Sequence, residues 1–264
     1  MGPVAAAERA ARYRSVIRLP RELEDWEFTS VLISRPVGFL LLHALERFSF
    51  ITPNRVTVAG FLSFLGAMAL LHFAPQAVWG IAALLFCRLI CDDFDGMLAR
   101  VRGASSHFGS YLDKITDVIG FFAFFTVLGL HAADDAGAVW PLVLASAGVT
   151  ALVTTGYVKW VVRGMEPPVT PAAPAEQVTS ATAGTPAPPT SSSTHHPLKV
   201  FLILLVRLFG VNECDIFLFS IVMILLGFTT PLLWVLAVSQ VGLCLAMIGK
   251  RGWRAFQLDR ARRS

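Results

Sequence analysis

The sequence predicts an all-α, polytopic membrane protein with six transmembrane helices preceded by a helix lying in the membrane interface. Mean hydropathy is +0.64. Of the 264 residues, 55% are hydrophobic and 15% charged, which is more apolar surface than a soluble core of this size buries. The 20 Phe residues fall within long apolar runs and do not alternate with polar residues, a pattern of helices and not of a transmembrane barrel.

Residues 1–30 form a basic segment without the apolar stretch of a cleavable signal, and Ala6 stands where N-myristoylation needs Ser or Thr. Residues 31–50 are apolar but interrupted by Arg35, His43, Glu46 and Arg47, so they suit a helix lying in the interface better than one crossing it. Six apolar segments follow, near 54–74, 76–99, 108–131, 138–162, 212–230 and 231–249. Each is long enough to cross a hydrocarbon layer about 30 Å thick. Residues 165–196 are rich in Pro, Thr, Ser and Ala and contain no aromatic, Lys or Arg residue; such a composition builds no core and predicts a disordered linker. Residues 197–210 read as a second interfacial helix, and 251–264 as a basic tail. The domain of interest is therefore 31–250.

Orientation follows from the basic residues. The links around 72–76, 131–138 and 229–231 contain no Lys or Arg, whereas the opposite side collects Arg9, Arg12, Arg35, Arg47, Arg102, Lys199, Arg251 and Arg254. Both termini are predicted to be cytoplasmic. Trp79, Trp140, Trp160, Trp234 and Trp253 lie near predicted span ends, where interfacial anchors belong. The net charge of +4 suits anionic lipid head groups and does not require nucleic acid. Cys87, Cys91, Cys214 and Cys244 form no metal-ligating pattern and read as packing residues, and His195 and His196 read as solvated.

The cytoplasmic end of the second span carries the chemistry. Asp92, Asp95 and Ala99 share one helix face; Gly109, Asp113 and Asp117 share one face of the next helix. With a short link over 100–107, antiparallel pairing brings four carboxylates around one cavity. An ionised side chain at hydrocarbon depth costs about 2.5–3.5 kcal/mol on insertion scales, so the cluster needs compensation, either from a divalent cation or from Arg88, Arg100 and Lys114. Gly96, Ala99 and Gly109 leave room for close helix approach or a flat ligand, and Arg100 adds a fixed positive charge. Hard oxygen ligands without a Cys, His or Ser nucleophile suit metal-assisted phosphoryl transfer, with two Mg²⁺ or Mn²⁺ ions clamping a diphosphate.

The arrangement Asp-x2-Asp-Gly-x2-Ala-Arg-x8-Gly-x3-Asp-x3-Asp resembles the signature of the CDP-alcohol phosphotransferases, and all eight positions are filled. A second similarity is Pro53-Asn54-x-x-Thr57 at the start of the first span. The resemblance implies that an acceptor hydroxyl attacks a CDP-alcohol and releases CMP in phospholipid synthesis at the cytoplasmic face of a membrane, here expected to be a bacterial inner membrane. It implies that Asp92, Asp95 and Asp113 hold the metal ions. Asp117 would act as general base and share the second metal. Gly96, Ala99, Arg100 and Gly109 would line the cytidine diphosphate pocket.

The expected donor is CDP-diacylglycerol, with a soluble CDP-alcohol such as CDP-inositol or CDP-choline as the alternative. Val118 replaces the Arg that often follows the last Asp in phosphatidylinositol phosphate synthases, which counts against an inositol phosphate acceptor. For a phosphorylated acceptor, Lys159, Arg163 and Arg207 are the candidate ligands, equally suited to contacting lipid heads. Asp93 lies about 100° around the helix from Asp92 and has no counterpart in the pattern. Two rival readings exist. Asp92-Asp93-Phe94-Asp95 also resembles the acidic clusters of polyprenyl-transferring enzymes, but the Gly109 to Asp117 half does not follow from that. A divalent-cation transporter would need its acids near the midplane, and no inverted repeat is visible. A homodimer is expected from the family resemblance.

Overall fold

The structure is a computed structural model that describes Tyr13, residues 28–165 and residues 213–263, without the side chains of residues 163, 213 and 261–263. Every described element is helical, and seven α-helices are seen among the described residues. A π-helical turn, Ser30–Ser34, leads into α1 (Arg35–Leu45), followed by α2 (Pro53–Phe73), α3 (Val78–Arg102), α4 (His107–Ala136), α5 (Trp140–Met165), α6 (Glu213–Leu225) and α7 (Thr229–Arg263). The expected linker from 166 onward, the interfacial helix at 197–210, Lys199, Arg207, the histidine pair and most of the N-terminal segment lie outside the described residues.

Local chemistry sets the helix ends that shape the site. Thr52 caps α2 by accepting from the Arg55 backbone N–H, with Pro53 in the first turn, where its missing N–H is no loss. Arg102 reinforces the entry to α2, its guanidinium donating to the carbonyls of Glu46, Phe48 and Ile51. Helix α3 stops at Gly103, whose φ of 63° allows Ala104 N–H to close back on the Ala99 carbonyl at 2.9 Å. Three residues later Ser106 caps α4, accepting from Gly109 N–H at 3.0 Å. The turn between α3 and α4 is thus Gly103 to Ser106, shorter than the expected link over 100–107.

Four helices are long and apolar enough to cross a membrane: Pro53–Phe73, His107–Ala136, Trp140–Val162 and Thr229–Arg260. By helix composition the chain is a multi-pass integral membrane protein. Helix α3 has 25 residues but carries Arg88, Asp92, Asp93 and Asp95 in little more than two turns, which dilutes its apolar character. Helix α6 has 13 described residues, about 20 Å at 1.5 Å per residue, short of the hydrocarbon thickness. Helices α4 and α7 outrun the expected spans 108–131 and 231–249, because a helix need not end where its apolar stretch ends; α7 continues through Arg251, Trp253 and Phe256.

The core is aromatic. Phe64 of α2 packs on Phe121 and Phe124 of α4 and on Phe217 of α6, with ring centroids 5.7, 5.9 and 5.0 Å away. Gly120 permits this approach, since a Cβ there would lie 2.5 Å from the Phe64 ring. A smaller cluster of Leu42, Val56, Phe94, Met97, Leu98 and Val101 seats α1 against α3. The outer surface is apolar as well: Phe73, Trp79 and Trp160 are each more than 75% exposed, as suits side chains solvated by lipid.

Candidate active site

Helices α3 and α4 do not pack closely side by side as the expected antiparallel pairing requires; α2 packs against both, and their motif-bearing ends bring together three of the four expected carboxylates. One oxygen each from Asp92, Asp113 and Asp117 lies within 4.8 Å of the others. Asp95 stands apart from this trio. It is buried one turn further along α3 and accepts a hydrogen bond from the Thr57 hydroxyl of α2. Thr57 was visible only as part of the Pro53-Asn54-x-x-Thr57 similarity; its partner is set by the crossing of α2 over α3, which the sequence does not display.

Two basic side chains hold the trio. Arg88 leaves α3 one turn before Asp92; its Nη2 donates to Asp117 Oδ1 and forms an ion pair with Asp92 Oδ1 at 2.9 Å. It is 1% exposed, its Nη1 has no hydrogen-bond partner among the described residues, and its guanidinium lies 5.9 Å from the centre of the Phe217 ring. Gly60 of α2 makes room for it: a Cβ there would sit 2.8 Å from Cys91 Cβ and 3.4 Å from Arg88 Nη1. Lys114 is the second cation. Its Nζ lies 3.1 Å from Asp113 Oδ2 and 3.1 Å from Asp117 Oδ2, and its side chain is 63% exposed.

Beside the trio opens a cavity of about 280 Å³ lined by Asn54, Thr57, Asp95, Gly96, Ala99 and Arg100 together with Ser105, Ser106, Gly109, Ser110 and Asp113. All four residues expected to line the ligand pocket, Gly96, Ala99, Arg100 and Gly109, are among them. Arg100 folds back over Gly96, where a Cβ would be 3.4 Å from Nη1. At Gly109 a Cβ would be 3.1 Å from both Asn54 Oδ1 and Ser106 Oγ, so glycine keeps this wall thin. Asn54 and the three serines offer hydrogen bonds to a polar ligand; the run of serines alone carried no such signal in the sequence.

The remaining expected residues scatter. Lys159 is exposed on α5, the Arg163 side chain and Arg207 lie outside the described residues, and Val118 is exposed on α4. Asp93 points away from the cavity and accepts from Ser30 Oγ at 2.9 Å and from Ser34 Oγ, with Arg35 Nε 3.9 Å away. Buried Asp215 of α6 does the same for Thr29, accepting from its N–H at 2.8 Å and its hydroxyl at 2.7 Å. These two acids fasten the segment before α1 across α3 and α6.

Comparison with known proteins agrees with this geometry. The family model described as CDP-alcohol phosphatidyltransferase matches residues 50–238. The chain is 31% identical over 137 residues to a phosphatidylinositol phosphate synthase of Cutibacterium acnes, covering 52% of this chain and 63% of that protein. It is 36% identical over 104 residues to the phosphatidylinositol phosphate synthase of Mycolicibacterium smegmatis, 39% of this chain and 44% of the relative. Over 67 residues it is 40% identical to an archaetidylinositol phosphate synthase of Pyrococcus horikoshii, 25% of this chain and 35% of the relative. The chain thus covers less than two thirds of the length of each of these relatives. With a match running from the cap of α2 into α7 and enclosing the whole carboxylate cavity, the chain belongs to the CDP-alcohol phosphatidyltransferase family.

Proposed function

We propose that the protein transfers a substituted phosphate from a CDP-alcohol, CDP-diacylglycerol, to an acceptor hydroxyl and releases CMP. The observation that carries this reading is the juxtaposition of the Asp92, Asp113 and Asp117 oxygens with a polar cavity lined by Gly96, Ala99, Arg100 and Gly109. Three related proteins are named as makers of inositol phosphate lipids, which supports an inositol phosphate as acceptor. Val118 favours a second reading, an acceptor alcohol without its own phosphate, because the position next to Asp117 supplies no cation.

The donor set fits a divalent metal: three carboxylates with converging oxygens, partly exposed and hard in ligand character. Asp92, Asp113 and Asp117 would hold Mg²⁺ or Mn²⁺, with Asp95 completing the set from the cavity side for two ions. Bound there, the metal supplies charge stabilisation to the diphosphate. The chain's own residues supply the rest. Asn54, Ser105, Ser106 and Ser110 orient the cytidine half by hydrogen bonds, and Arg100 faces the diphosphate. Asp117 takes the proton of the acceptor hydroxyl as its oxygen bonds to the phosphorus bearing the alcohol. The bond from that phosphorus to the CMP oxygen breaks, and CMP leaves with the electron pair.

In this reading residues 31–250 form one catalytic membrane domain with six crossings, α3 and α6 included, and the site faces the cytoplasm of a bacterial inner membrane. The lack of Lys and Arg in the links at 72–76, 131–138 and 229–231 supports that orientation. Lys159, Arg163 and Arg207 bind the acceptor phosphate, and the working unit is a homodimer with one site per subunit.

The test is CMP release by purified protein in liposomes with Mg²⁺ or Mn²⁺, CDP-diacylglycerol and a panel of inositol phosphate, inositol, glycerol 3-phosphate and serine. Acceptor-dependent, chelator-sensitive release that vanishes in Asp113→Asn supports the reaction and names the acceptor. Release with inositol but not with its phosphate selects the second reading. Silence with every acceptor and with CDP-inositol and CDP-choline overturns both.

A further inference from the structure

The two cations at the carboxylates differ in a way that assigns them different jobs. Arg88 is walled in by four helices, with Gly60 behind it, Phe217 over its face, Asp92 on its own helix and Asp117 on α4. Its charge is permanent and its side chain has nowhere to go. Lys114 sits on the open side of the same carboxylates, 63% exposed, two turns from the start of α4 and on a flexible stem. Its ammonium bridges Asp113 Oδ2 and Asp117 Oδ2 at 3.1 Å each, and these two residues belong to the converging trio.

Resting on the reading of the trio as a metal site, we propose that Lys114 is a displaceable placeholder. Its ammonium balances Asp113 and Asp117 while no metal is bound, and an entering divalent cation must expel it into solvent. An exposed ammonium loses little on release, because water replaces its partners. A divalent cation brings twice the charge to the same oxygens and can also take an oxygen of Asp92, which converges with them. The requirement for metal is therefore set partly by a residue that is not a ligand, and the freed lysine stands at the rim of the site.

The experiment reads Lys114 itself. The full-length protein in detergent is pulsed with an amine-acylating reagent with and without Mn²⁺, labelling at Lys114 is quantified by mass spectrometry with Lys250 as internal reference, and Mn²⁺ binding is followed in parallel by the electron paramagnetic resonance of the free ion. The expected result is a several-fold rise in Lys114 labelling on Mn²⁺ addition that is absent in Asp113→Asn, with Lys114→Gln binding Mn²⁺ about fivefold more tightly and Lys114→Arg close to wild type. Labelling that does not change with Mn²⁺, or Lys114→Gln binding no tighter, while wild type binds and Asp113→Asn does not, overturns the placeholder and leaves the metal site standing. Failure of wild type to bind Mn²⁺ overturns both.

Discussion

Arg88 of α3 donates to Asp117 of α4, reaching from one motif-bearing helix to the other, and the same Nη2 lies 2.9 Å from Asp92 Oδ1. One buried guanidinium therefore ties together carboxylates that come from opposite halves of the signature. Removing one partner of a buried ion pair leaves the other charge uncompensated, which is usually far costlier than the pair was favourable.

Arg88→Met is predicted to lower stability by about 3 kcal/mol and turnover by about a hundredfold, with Arg88→Lys intermediate in both. Thermal unfolding in detergent and CMP release measure the two effects. A folded Arg88→Met protein with wild-type turnover would show that Asp117 needs no positioning from α3.

Thr57→Val keeps the side-chain shape and removes the hydroxyl that donates to Asp95. Loss of a hydrogen bond to a charged or buried carboxylate is worth about 1.4 kcal/mol, so the expected fall in kcat/KM for the CDP donor is about tenfold. Thr57→Ser, which restores the hydroxyl, should recover most of it; no recovery would assign the effect to packing.

A methyl group at Gly109 would press on Asn54 and Ser106 without meeting backbone. Gly109→Ala is expected to raise the donor KM about tenfold while leaving the unfolding temperature near wild type, as for a small misplacement at a binding wall. Gly60→Ala is expected to do the opposite: the new Cβ would lie 2.8 Å from Cys91 Cβ, and forcing α2 from α3 costs about 1–3 kcal/mol of stability. Equal behaviour of the two variants in both assays would contradict their different surroundings.

Asp93→Ala separates scaffold from site. It deprives Ser30, Ser34 and Arg35 of their shared acceptor and is predicted to cost about 1–2 kcal/mol in unfolding free energy, with the Mn²⁺ concentration for half-maximal activity unchanged. A shift in that concentration would move Asp93 from the scaffold into the metal site.

Much of this was legible in the chain because period and spacing encode it. The i, i+3 and i, i+4 intervals of Asp92, Asp95, Asp113 and Asp117 put them on facing helix stripes, and α2, α4, α5 and α7 announce themselves by apolar length. Three relationships were not legible. Asp93 looked like a spare acid, since its partners Ser30 and Ser34 are ordinary hydroxyls about 60 residues away and carry no motif. The division between Asp95, held by Thr57, and the trio held by Arg88 and Lys114 depends on how α2 and α6 cross α3, a rigid-body geometry that sequence period does not contain. The extent of α4 and α7 beyond their apolar cores escaped because hydropathy registers where hydrocarbon ends, not where the backbone stops being helical.

The back-to-back caps at Gly103 and Ser106 leave the α3 to α4 junction without slack. Each end of that turn is tied to its own helix by backbone or side-chain hydrogen bonds, so it offers no hinge about which the two halves of the motif can swing apart. Any breathing that admits a bulky ligand then falls to the opposite wall, where Pro53 and Asn54 begin α2 and where Arg102 grips the preceding link through carbonyl oxygens.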